Sequence, residues 1–106
     1  MGAPFEKSTG QYTDIFAFEP LSVSGSVVAL TAATFAPSDG TNAIAAHVSV
    51  EGGQVRWRAD GTDPTTSVGT LLGDGDETTV WGSRDIISIR FIATAGGVTL
   101  NVHYAR

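Results

Sequence analysis

The sequence predicts an all-β fold, an antiparallel two-sheet β-sandwich or jelly roll of about seven or eight strands. Three observations carry this. Apolar residues alternate with polar ones at a period of two along several short runs. No long window shows the three-and-four spacing of an amphipathic helix. The 13 glycines fall between the alternating runs, at intervals that suit turns. A partly closed barrel is the alternative that the same pattern allows.

The clearest pattern lies in Ala43–Ala59, where Gly52-Gly53 separates two alternating runs and predicts a hairpin with a two-residue primed turn. In that register Val50 faces Val55, Val48 faces Trp57 and Ala46 faces Ala59, which makes one face apolar. Ser49 with Arg56 and His47 with Arg58 form the polar face, and a one-residue slip would scramble both. Ile86–Tyr104 repeats the device around Gly96-Gly97. There Ala93 aligns with Leu100, Phe91 with Val102 and Ile89 with Tyr104. Arg90 aligns with His103 on the polar side, and Ile92 is the one apolar residue out of place.

Thr78–Trp81 reads as a short strand after the acidic turn Gly73-Asp74-Gly75-Asp76, and Val68–Leu72 as another. Upstream, Val27–Phe35 is expected to be a strand, with Tyr12–Phe18 and Leu21–Ser24 as shorter ones. Pro20 and Pro37 belong at strand ends or turns, where a missing amide costs little. Ser38-Asp39-Gly40-Thr41-Asn42 is a polar loop. Residues 1–11 carry little to bury and are expected to form an arm that is flexible or ordered by a neighbouring subunit. Residues 12–106 form a single domain.

Composition narrows the function classes. With no cysteine, neither disulfides nor thiolate metal sites are available. A net charge of −5, with Arg56, Arg58, Arg84, Arg90 and Arg106 scattered, offers no footprint for nucleic acid. Only 16% of residues are charged, against the usual quarter, so much of the surface is neutral and suited to packing against partners. No apolar run reaches the roughly 20 residues of a membrane helix. The start, Met1-Gly2-Ala3-Pro4-Phe5-Glu6-Lys7, has neither signal-peptide order nor a myristoylation pattern. No membrane partner is expected, and synthesis is expected in a cytoplasm.

The chain offers few candidates for chemistry. His47 and His103 are the only histidines, and the registers above place them across from Arg58 and Arg90 with no nucleophile nearby. Asp60, Asp63, Asp74, Asp76, Glu77 and Asp85 could in principle pair for glycoside hydrolysis or hold calcium between loops. Their Gly-rich settings favour turn capping instead. Trp57 falls on the apolar face of its run and is expected in the core, whereas the exposure of Trp81 is left open. No glycine motif cradles a phosphate, and Lys7 is the only lysine. No catalytic residue, cofactor or metal ligand is assigned, and the chain is not expected to be an enzyme.

One stretch has a familiar order. Val55-Arg56-Trp57-Arg58-Ala59-Asp60-Gly61-Thr62-Asp63-Pro64-Thr65 runs on into Ser67-Val68-Gly69 and Leu71-Leu72. Further on come Ile89-Arg90-Phe91-Ile92 and Leu100-Asn101-Val102-His103-Tyr104. In this order the pieces resemble small phage virion proteins encoded near capsid genes, over about residues 27 to 106 and without the N-terminal arm. The Asp-Gly-Thr-x-Pro-Thr piece alone is also similar to a turn in chitobiase C-terminal-type sandwich domains. In either setting it is a fold signature: Asp60 and Thr62 bond the turn backbone, Gly61 takes a positive φ and Pro64 fixes the exit.

The phage resemblance implies a structural component of a virion, assembled in the host cytoplasm, most of all a capsid decoration or cement protein. Its implied partners are the major capsid protein or another virion protein, and its own copies in a homo-oligomer, a trimer being favoured. The other reading is a carbohydrate- or receptor-binding module associated with a tail or fibre, with Trp81 as its platform.

Overall fold

The structure is a computed structural model that describes residues 14–37 and 42–106. Among the described residues, eight strands form two antiparallel four-stranded sheets. They are β1 (Ile15–Val23), β2 (Val28–Ala29), β3 (Ala45–Glu51), β4 (Val55–Arg58), β5 (Thr70–Leu72), β6 (Glu77–Trp81), β7 (Arg90–Ala93) and β8 (Val98–Ala105). The first sheet has the order β1-β8-β3-β6 and the second β2-β7-β4-β5. This is the jelly-roll arrangement, in which a folded ribbon pairs β1 with β8, β2 with β7, β3 with β6 and β4 with β5. The expected two-sheet β-sandwich of antiparallel strands is the fold observed.

Neither expected hairpin forms. β3 and β4 lie in different sheets, as do β7 and β8, so Gly52-Gly53 and Gly96-Gly97 turn the chain across the sandwich. The two arches lie side by side: β3 pairs with β8 and β4 with β7. His47 therefore adjoins His103 instead of Arg58, and Arg58 adjoins Arg90. The alternation could not decide this. A hairpin places two apolar faces side by side on one sheet, an arch sets them opposite each other across the core, and both turn Val48, Val50, Val55 and Trp57 inward. Among the described residues only β4 and β5, joined through residues 59–69, are consecutive strands paired within one sheet.

Other boundaries shift for local reasons. Val27–Phe35 is not one strand: it holds the two-residue β2 and a single helical turn, α1 (Ala32–Phe35). Ile86–Ser88 is helical, the end of α2 (Ser83–Ser88), which Gly82 enters at φ 91°. The two short strands expected before Ser24 are one, β1, irregular between Ile15 and Ala17 and carrying Pro20 in its interior. Because β1 is an edge strand, the amide that proline lacks need not face a neighbour. Glu77 sits in β6 and Asp85 in the first turn of α2, so these two acids are not turn residues. The expected arm, 1–11, the first two residues of the expected strand Tyr12–Phe18, and residues 38–41 of the polar loop lie outside the described residues.

The core joins the inner faces of both sheets. Val48, Val50, Val98, Leu100, Val102 and Tyr104 from the first sheet meet Val55, Phe91 and Ala93 from the second, closed at the ends by Phe35, Ile86 and Ile89. Trp57 packs against this cluster from its margin, on the apolar side expected of it. Among the described residues no helix is long and apolar enough to cross a membrane.

Candidate functional site

The outer face of the β1-β8-β3-β6 sheet grades from apolar to polar along the strands. Its first cross-strand row is Ile15, Ala105, Ala45 and Trp81. The second is Phe18, His103, His47 and Thr79, and the third Pro20, Asn101, Ser49 and Glu77. The two alanines are wholly buried between larger neighbours, whereas Ile15, Phe18 and Trp81 are 46%, 49% and 42% exposed. The two edge strands, β1 and β6, thus display an isoleucine and two aromatic rings on either side of the buried alanines of β8 and β3, where a solvated sheet face would carry polar side chains.

The middle row is ordered by side-chain contacts. The rings of Phe18 and His103 lie 4.8 Å apart and tilted at 52°. His47 Nε2 is 2.7 Å from a Glu77 carboxylate oxygen, and its Nδ1 is 3.3 Å from the Thr79 hydroxyl. When Nε2–H donates to Glu77, Nδ1 is left to accept from Thr79. Asn101 donates to Glu51 at 2.9 Å, which closes the polar end. This arrangement can bury aromatic and aliphatic surface against a partner while the exposed Glu77 carboxylate supplies directional bonds at the rim.

The structure spreads the acids singled out in the sequence over separate duties. Asp74 accepts from the Gly52 amide and Asp76 from the Gly73 amide, so each fastens a turn. Asp60 accepts two bonds from the Arg58 guanidinium, which holds its carboxyl below the usual range. In the same loop Gly61 takes φ 90° as expected, and the Thr65 hydroxyl accepts from the Ser67 and Val68 amides. Arg56 binds the Thr66 and Gly69 carbonyls and pins the loop to the second sheet. Asp63 lines a cleft below this loop with Gly61, Ile87, Ser88 and Arg90. No group of three or more histidines and acids that could hold a metal ion occurs among the described residues.

Sequence reasoning missed one buried network. Tyr104 is buried in the core and donates its hydroxyl hydrogen to Glu19, 2.5 Å away. The same carboxylate accepts from the amide and hydroxyl of Thr31, tying β1 and β8 to the entry of α1. Burial, aided by the neighbouring carboxylate, pushes the Tyr104 phenol far above its ordinary value. The alternating run predicted that Tyr104 points inward, but nothing local marks Glu19 or Thr31 as its partners.

No family model, curated protein or solved structure matches the chain.

Proposed function

We propose that the chain is a structural protein of a phage particle, a decoration or cement protein that docks the outer face of its β1-β8-β3-β6 sheet on the capsid lattice. The observation that carries this reading is the exposure of Ile15, Phe18 and Trp81 on one rigid sheet face, where a solitary domain gains nothing from it. The order of segments from Val55 to Tyr104, which resembles phage proteins encoded near capsid genes, supports it. Jelly rolls also serve in viral capsids, although a fold alone does not assign a function. Many copies on a lattice bind with avidity, so each face can be small.

Quantitative mass spectrometry of particles purified from the source, counting copies of this chain per particle, tests the proposal. Hundreds of copies are expected. A handful would move the chain to the tail or a vertex, and none would overturn the reading.

A second reading has its own observation. Trp81 is a half-exposed indole one row from Glu77, and jelly rolls also form lectins, so the same face could stack a sugar ring. Saturable binding to a glycan array that is lost in Trp81→Ala would favour it over capsid decoration.

A further inference from the structure

We propose that the cleft between the 59–69 loop and α2 is a binding site for a carboxylate group, with Arg90 as its anchor. The cleft, about 180 Å³, is lined by Gly61, Asp63, Ile87, Ser88 and Arg90 on the side of the molecule opposite the apolar face. Arg90 is held in place from behind: one terminal nitrogen donates to the Ile87 carbonyl at 2.8 Å and the Ile89 carbonyl at 2.9 Å. Those carbonyls fix the plane of the guanidinium without neutralising it. Arg90 forms no ion pair among the described residues, Asp63 included.

The cross-strand neighbour of Arg90 is Arg58, and like charges so placed repel. Arg58 has its own answer in Asp60, whose two carboxylate oxygens accept from its Nε–H and one Nη2–H. Arg90 has none, so it retains the fork that pairs two parallel N–H groups with a carboxylate. The Ser88 hydroxyl is a further donor in the lining, and the exposed methyls of Ile87 form an apolar lip for the carbon attached to the carboxylate. Asp63 sets the preference: its negative charge opposes a doubly charged anion such as phosphate more strongly than a singly charged carboxylate. The carboxylate can come from a free small acid or from an Asp or Glu side chain of a neighbouring protein.

The test is a titration of the ¹⁵N-labelled protein with sodium acetate at constant ionic strength, following the Gly61, Ser88 and Arg90 amides and the Arg90 Nε–H by NMR. Saturable shifts at these groups are expected, with affinity reduced at least tenfold in Arg90→Gln and unchanged in Arg84→Gln. Unaltered His47 and His103 amide resonances report that a variant is folded. Asp63→Asn, which leaves the Arg90 anchor intact, is expected to bind acetate two- to fivefold more tightly. Tighter binding of acetyl-Gly-Glu-Gly-amide than of acetate identifies a protein side chain as the source, and the reverse a free acid. Shifts that do not saturate, that spread equally to Arg58 and Arg106, that weaken in Asp63→Asn, or that are stronger with inorganic phosphate would overturn the assignment.

Discussion

Tyr104 shows how much one inward-facing polar group settles. Its ring fills the core beside Phe35, and its hydroxyl reaches Glu19 at the sheet edge. In Tyr104→Phe the ring packing survives and the bond to the carboxylate is lost, so stability to urea should fall by about 1–2 kcal/mol. The pH dependence has a definite sign. The folded state raises the phenol above its ordinary value of 10.0, so its contribution is constant below that value. Above it the unfolded chain ionises first, and stability is lost as pH rises. Urea titrations at pH 8 and pH 11 should show a steeper loss for the wild type than for Tyr104→Phe, and equal losses would place the phenol in an ordinary environment.

At the scale of elements, the alternating runs around Gly52-Gly53 and Gly96-Gly97 were legible as strands apart from the helical Ile86–Ser88, and their inward faces were read correctly, whereas Ile92, expected on the polar face, is buried too. Their partners were not. The period of two reports which face is buried and nothing about whether the next strand lies beside it or across the core. A chain without cysteine allows a direct check. Ser49 and Asn101 are cross-strand partners on the outer face, so Ser49→Cys with Asn101→Cys should oxidise to a disulfide in the folded protein. The hairpin pair, Ser49→Cys with Arg56→Cys, should not, because those positions sit on the outer faces of different sheets. Non-reducing electrophoresis after mild oxidation distinguishes them, and a bridge in the second pair would contradict the arches. The apolar face was hidden for the same reason. Ile15, Phe18 and Trp81 become neighbours only through β8 and β3, and the irregularity between Ile15 and Ala17 breaks the alternation that would have shown Phe18 pointing outward. The Arg90 cleft was hidden likewise, since its walls come from a loop, a helix and a strand.

At the scale of the whole molecule, a jelly roll leaves four edges, and the longest belongs to the nine-residue β1. Pro20 and the irregularity near its start interrupt an edge that no strand pairs with among the described residues and that would otherwise invite another chain. Pro20→Val should leave the fold intact but increase self-association, seen as a concentration-dependent shift in sedimentation velocity, whereas an unchanged monomer fraction would show that the edge is guarded elsewhere. Assembly through the proposed face must be distinguished from such edge pairing. The occupancy of purified particles by wild-type chain and by the double variant Phe18→Ser with Trp81→Ser, supplied separately in excess and counted by mass spectrometry, does so. Both side chains are about half exposed in the isolated domain, so the variant should fold, and at least a tenfold drop in copies per particle is expected. Equal occupancy of the two proteins would contradict docking through the β1-β8-β3-β6 face.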